Sequence, residues 1–366
     1  MSDAVKKVRV LVVDDSAFAR LTISKYLAGD PAIEVIGVAR DGLDALEKVK
    51  LLDPDVVTMD VEMPKLDGIG TLERIMQDYP RPVIMLSSIT AEGAEVTIRA
   101  LELGAIDFFL KPSLINPSGR DEVNNELIDK IKNAAEVDVS KLVWRVKKLL
   151  AGTARPVAAR LRKERAAEKA RMVVIIGTST GGPRALYEVV PGIPADIPAT
   201  VVIVQHMPPK FTKSLADRLN EISPMPVKEA EAGDRLITGH ALVAPGGFHM
   251  VMAPGGRIGL TLDKPVCGLR PAIDVTMESL VRHYGASCLG VVLTGMGNDG
   301  TKGCAMIKAA GGNVISEDQS TCVIYGMPRS VAEAGFADHV LPLGRIANGI
   351  INYCNISARK DVRVSV

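Results

Sequence analysis

Val8-Arg9-Val10-Leu11-Val12-Val13-Asp14-Asp15 is an apolar run of strand length closed by two carboxylates, and runs of the same kind recur down the chain. Pro54-Asp55-Val56-Val57-Thr58-Met59-Asp60 closes on a third carboxylate. Pro82-Val83-Ile84-Met85-Leu86-Ser87 closes on a hydroxyl, and Ala105–Leu110 on Lys111 just before Pro112. Ile33–Ala39 is a further apolar run. Between the runs lie the amphipathic stretches Ala17–Leu27, Gly42–Leu51, Gly68–Gln77 and Ala91–Leu103. Five strands, each followed by a helix, predict a parallel sheet with helices on both faces. The carboxyl ends of the strands form the ligand crevice of such a sheet, so Asp14, Asp15, Asp60, Ser87 and Lys111 are expected to converge. Three carboxylates packed together repel one another unless a cation neutralises them, and hard oxygen donors suit Mg²⁺. A hydroxyl and an ammonium beside them can bind phosphoryl oxygens. An isolated Asp at a strand end is more often an N-cap for the next helix. The ordered set D-D, D, S and K-P on strands one, three, four and five overrides that reading.

Beyond this stretch the composition bounds the answer. At 366 residues the chain is long enough for two or three domains. Lys and Arg total 44 against 43 Asp and Glu, a net charge of +1 that singles out neither nucleic acid nor an anionic membrane as main partner. Aromatics are only 4% of residues, with Trp144 alone of its kind, which argues against base-stacking platforms. No apolar run approaches the ~18 residues needed to cross a bilayer. Cys267, Cys288, Cys304, Cys322 and Cys354 are odd in number and never at C-x-x-C spacing, which fits reduced thiols in a cytoplasmic protein better than disulfides or a zinc site. From Lys141 to Arg171, eleven bases face only Glu164 and Glu168 among Ala-rich sequence broken by Gly152 and Pro156. This reads as a partly helical, exposed linker. The expected division is therefore 1–125, a linker over 126–170, and a second α/β domain over 171–366.

In that second domain strand signals resume at Met172–Ile176, Thr200–Val204, Ala241–Ala244, Leu289–Thr294 and Asn313–Ser316. The first leads into Gly177-Thr178-Ser179-Thr180-Gly181-Gly182 and a helix beginning near Pro183. Such a turn can expose a serine nucleophile at a helix N-terminus, cradle a phosphate, or simply be a tight turn. It matches neither the dinucleotide glycine pattern nor a P-loop, and it lacks the G-x-S-x-G elbow. A nucleophile needs a base. Of the five histidines, His206 directly follows a strand; His240 and His249 flank another, and His283 falls in a helical segment. After Leu289–Leu293 comes Thr294-Gly295-Met296-Gly297-Asn298-Asp299-Gly300, whose carboxylate can orient an imidazole and whose amides can form an oxyanion hole. N-D-G alone is a common turn signal. Three strand ends supplying Ser179, His206 and Asp299 reverse the odds.

The N-terminal pattern, over about residues 6–125, resembles the receiver domain of two-component response regulators. That resemblance implies a flavodoxin-like fold with Asp60 as phosphoacceptor and Asp14 and Asp15 on Mg²⁺. It also implies the backbone carbonyl of Glu62 in the metal shell, Ser87 as switch hydroxyl, Lys111 as phosphate-binding cation and Phe108 as switch aromatic. I-G-T-S-T-G-G (176–182), Q-H-M-P-P (205–209), L-T-G-M-G-N-D-G (293–300) and Y-G-M-P-R (325–329) resemble the chemotaxis protein-glutamate methylesterase (CheB) family. The family also carries an N-terminal receiver, so nearly the whole chain is covered; Thr178 stands where its motif often has Ala. The resemblance implies a phosphorylation-activated enzyme that removes methyl esters from receptor glutamates and deamidates receptor glutamines. Ser179 would be nucleophile, His206 base, Asp299 its orienting acid, and amides near Met296 the oxyanion donors. Implied partners are methyl-accepting chemotaxis receptors and a histidine kinase, with no nucleic acid and no membrane insertion. Mg²⁺ belongs to the receiver, and the esterase step needs no cofactor. Two rivals are a regulator that exposes a binding surface and a nucleotide-binding enzyme. The second domain shows no helix-turn-helix for the first, and Val201–Gln205 occupies the place of the second's acidic ribose contact.

Overall fold

The computed structural model describes residues 7–88, 90–111, 120–139 and 168–364. The greater part of the expected linker, with Trp144 and most of its basic run, lies outside the described residues, as does Pro112. The chain divides into two compact units, residues 1–154 and 155–366.

The first unit is a five-stranded parallel sheet in the order β2-β1-β3-β4-β5. Its strands are β1 (Val8–Val13), β2 (Ile33–Ala39), β3 (Val56–Asp60), β4 (Val83–Ser87) and β5 (Asp107–Leu110). They alternate with α1 (Ala17–Leu27), α2 (Gly42–Leu52), α3 (Gly68–Asp78), α4 (Ala91–Glu102) and α5 (Arg120–Ala135). β3 and β4 are buried along their whole length, as strands covered on both faces must be. Four helices start on side-chain caps: Ser16, Asp41, Asp67 and Thr90 each accept an amide from the first turn. At Gly68 an added Cβ would lie 2.2 Å from the Asp60 carbonyl, so glycine alone lets α3 start this close to the end of β3. α5 runs across residue 125 and is tied to this sheet: Lys130 pairs with Asp107, and Lys132 with Asp30.

The second unit has a seven-stranded parallel sheet, β14-β13-β12-β6-β7-β9-β8. Its members are β6 (Val173–Thr178), β7 (Thr200–Gln205), β8 (Val227–Glu229), β9 (Ala241–Val243), β12 (Cys288–Val292), β13 (Asn313–Glu317) and β14 (His339–Leu341). β10 (His249–Ala253) and β11 (Arg257–Thr261) form a separate antiparallel hairpin. The helices are α6 (Gly182–Val189), α7 (Phe211–Ile222), α8 (Ile273–Tyr284), α9 (Thr301–Ala309), α10 (Met327–Glu333) and α11 (Leu343–Val364). β6, β7 and β12 have every residue buried, and the core joins them to α8, α9 and α10 through Ile273, Met277, Ile307 and Met327. From β6 the chain builds outward through β7 to β8 on one side. It then returns to lay β12 on the other. The boundary between β6 and β12 is thus the switch point at which open α/β sheets hold their ligands. No helix among the described residues is long and apolar enough to cross a membrane.

Candidate active site and phosphoacceptor pocket

The second unit's site starts from the register of three adjacent strands. Thr178 lies beside Gln205, and Val292 beside Gly177, so the chain leaves β6, β7 and β12 at one level. Ser179, His206 and the loop carrying Asp299 therefore emerge side by side. Ser179 is half-buried. Its amide donates to the Thr294 carbonyl at 3.1 Å, and its carbonyl accepts from Gly182 at 2.8 Å and from Gln205 Nε2 at 3.0 Å. Gly181, at φ +78°, turns the chain into α6 where a Cβ would overlap Val323, so only glycine fits there.

His206 and Asp299 meet through Nε2 and Oδ2 at 2.8 Å, with both side chains more than nine-tenths buried. Asp299 also takes the amides of Ile273 (2.7 Å), Asp274 (2.9 Å) and Gly300 (3.0 Å). The first two belong to the opening turn of α8, so a carboxylate sits at the positive end of a helix dipole. Burial pushes the Asp299 pKa up. The hydrogen bond and charge of His206, with the Asp274 and Ile273 amides, outweigh it and hold the group below the usual carboxylate value. Asp274 behaves in the opposite way. Burial raises it, and the Asp299 charge adds to that rise against the bond it accepts from Gly303.

Met296 stands in the loop after β12 and is 43% exposed. The neighbouring Gly295 amide is not free for an oxyanion, because it donates to the Ile324 carbonyl at 3.1 Å. Of the other histidines, His249 is buried between the Lys264 carbonyl and the Ala272 amide, where it secures the entry to α8. His240 is bonded to the Thr238 carbonyl, and His283 rests edge-on against Tyr284. Sequence reading missed Gln205 and Thr294, which hold the Ser179 backbone, and the α8 amides, which hold Asp299. The one local signal was Gln205, an amide side chain closing an otherwise apolar strand.

In the first unit the carboxylate oxygens of Asp14, Asp15 and Asp60 come within 4.8 Å of one another. Lys111 Nζ lies 2.7 Å from both Asp14 and Asp60. Burial raises the Asp60 pKa above its ordinary value; Lys111 opposes this, while Asp14 and Asp15 add to it. Lys111 loses affinity for its proton by burial, but the two carboxylates more than restore it and its pKa ends raised. The donor set fits a hard divalent cation: three carboxylates face a single ammonium. Ser87 is fully buried and its hydroxyl is engaged with α4, accepting from Thr97 Oγ1 at 2.8 Å beside the Gly93 carbonyl. Phe108 is buried, with the Lys130 ammonium 5.5 Å from its ring centroid. Glu62 is exposed in the bend after β3.

Two family models match the chain: the response regulator receiver domain over residues 10–117 and the CheB methylesterase over 174–350. A protein of Symbiobacterium thermophilum named protein-glutamate methylesterase/protein-glutamine glutaminase is 52% identical, over 96% of this chain and 98% of that relative. A relative of the same name from Thermotoga maritima is 46% identical, over 96% of this chain and 99% of its own. The crystal structure of the Thermotoga maritima CheB methylesterase catalytic domain is 46% identical; the match spans 50% of this chain and 98% of that one, at a TM-score of 0.49.

Proposed function

The chain belongs to the CheB methylesterase family, and from that premise we propose that it hydrolyses methyl esters of glutamates, and deamidates glutamines, on chemotaxis receptors. The acyl-transfer site is Ser179, His206 and Asp299. The observation that carries this reading is the buried 2.8 Å bond between His206 and Asp299, at the strand ends flanking Ser179. With Nε2 donating to Asp299, the neutral imidazole has Nδ1 as its acceptor. Ser179 Oγ attacks the γ-carbonyl carbon while Nδ1 takes its proton. The tetrahedral oxyanion forms beside the amides near Met296. On collapse the C–O bond to the methoxy group breaks, and the imidazolium returns the proton to release methanol. Water then adds to the acyl-enzyme with Nδ1 again as base, and collapse yields the glutamate carboxylate and free Ser179. A glutamine substrate runs the same course with ammonia as leaving group. The buried negative charge of Asp299 stabilises the imidazolium in both halves.

The receiver unit supplies the control. Asp60 accepts a phosphoryl group from a histidine kinase, Lys111 and Ser87 engage its oxygens, and Phe108 follows Ser87. Asp14, Asp15, Asp60 and the Glu62 carbonyl would hold Mg²⁺, which when bound supplies positive charge to the phosphoryl oxygens. The esterase step draws only on this chain's own groups. Receptor and kinase are met in the cytoplasm. The reading is tested by methanol release from methylated receptor membranes. Turnover by the wild type and a loss of about 10³-fold or more in Ser179→Ala are expected; a variant keeping a tenth of the rate rejects the serine mechanism.

A further inference from the structure

Glu317 is a fully buried carboxylate at the end of β13, two strands from the nucleophile, and neither the triad nor the receiver accounts for it. Its Oε2 accepts the Thr294 amide at 2.8 Å, and its Oε1 accepts the Thr321 hydroxyl at 3.0 Å. Thr321 in turn accepts the Leu343 amide at the start of α11, at 3.0 Å. Thr294 is where these contacts matter. Its carbonyl accepts from both the Ser179 amide and the Thr178 hydroxyl, each at 3.1 Å. Its hydroxyl lies 3.0 Å from the Thr180 carbonyl and accepts the Ile324 amide at 2.9 Å. The next residue, Gly295, runs so close to the nucleophile that an added Cβ would lie 2.8 Å from Ser179 Cβ. One residue, Thr294, thus registers the nucleophile turn, the 295–297 loop and the 322–327 segment against each other, and a buried carboxylate holds its amide.

We infer that Glu317 is a positioning residue for acyl transfer. Its carboxylate fixes the Thr294 amide, and through the carbonyl of that residue sets Ser179 against the amides near Met296. The inference rests on the serine reading given above. Burying a carboxylate costs free energy even when both oxygens are hydrogen-bonded, so a glutamate here carries a cost that packing alone would not require. The nucleophile and the oxyanion donors must agree to within a fraction of an ångström, and a misplacement of about 1 Å costs on the order of 10²-fold in rate. Glu317 does not touch substrate, so its loss lowers turnover and leaves substrate affinity intact.

The test uses the full-length protein with methylated receptor membranes at varied receptor concentration, and Ser179→Ala as companion. Glu317→Ala is expected to lower kcat by about 10- to 100-fold with KM within about twofold. Glu317→Gln keeps an oxygen for the Thr294 amide and is expected to retain at least about a third of the wild-type kcat. A folded Glu317→Ala with kcat within threefold of wild type overturns the inference, as does a glutamine variant as slow as the alanine one. Should Glu317→Ala fail to fold, Thr321→Val removes one hydrogen bond from the carboxylate and leaves Glu317 in place. A loss of about three- to tenfold in kcat is then expected, and an unchanged kcat overturns the inference. If Ser179→Ala is inactive while Glu317→Ala is fully active, only this inference falls. If Ser179→Ala turns over, the serine reading falls and takes this inference with it.

Discussion

Asp299, itself buried, accepts three backbone amides and an imidazole, which accounts for its lowered proton affinity and supports the orienting role proposed for it. Asn at 299 would still accept amides through its oxygen, but its NH₂ would face Nε2 and force the proton to Nδ1. The base would then present the wrong nitrogen to Ser179. Asp299→Asn is therefore expected to lower kcat by roughly 10²- to 10⁴-fold at little cost in KM, read by methanol release. The same carboxylate makes a stability prediction. Its folded pKa lies below the unfolded value, so its contribution is present above about pH 4 and is lost as the pH falls through the lower folded pKa. Between about pH 5 and pH 3 the melting temperature of the wild type should fall more steeply than that of Asp299→Asn; parallel slopes would contradict the assignment. Asp60 has the opposite sign. Its pKa is raised, so the ionised form weighs against folding at neutral pH and protonation relieves it. Without added metal, Asp60→Asn should raise the melting temperature of the receiver unit at pH 7 by roughly 2–4 °C, visible by calorimetry.

Elements act here mainly through their ends. α8 lends its first amides to Asp299, and His249 fixes the entry to that helix by accepting the Ala272 amide. α6 begins against Gln205, whose Nε2 holds the Ser179 carbonyl. A Cβ at Gly182 would fall 2.1 Å from Gln205 Oε1 and 2.3 Å from Thr178 Oγ1, so one of the two must yield. Gly182→Ala is expected to lower kcat about tenfold or more and to reduce the melting temperature by several degrees, since overpacking a tight contact costs about 1–3 kcal/mol. A variant with unchanged turnover would show that Gln205 is dispensable to Ser179. α4 plays the corresponding part in the receiver. Its Thr97 and Gly93 engage the Ser87 hydroxyl, which under the proposed phosphorylation of Asp60 would leave them to reach the phosphoryl group.

At the scale of the whole molecule the expectation is communication between the units. An acyl-phosphate donor should label Asp60 alone, only when Mg²⁺ is present, and should raise methanol release by the full chain. Asp60→Asn should show neither effect; equal labelling in EDTA would remove the metal from the account. How far such behaviour is legible in a sequence depends on the range of the forces that create it. The apolar runs from Val8 to Leu110 and from Met172 to Ser316 mark both parallel sheets, because burial on two faces writes itself as uninterrupted Val, Ile and Leu. Strand ends in such a sheet share one edge, so Asp14, Asp15, Asp60, Lys111, Ser179, His206 and Asp299 could be placed from sequence alone. β8 and β14, three residues each, carry too few apolar positions to register, and sequence reading missed the β10–β11 hairpin although residues 250–253 are apolar. The tertiary structure alone decided which imidazole nitrogen faces Asp299, that Gly295 gives its amide to Ile324, and that Ser87 turns to α4. It alone joined Thr178 to Thr294 across 116 residues and Thr294 to Glu317 across 23. Hydrophobic periodicity is a local property of the chain, and residues one turn or one strand apart reveal it. A hydrogen bond between distant loops depends on the angle at which two strands release their backbones, and that angle exists only once the sheet has closed around its core.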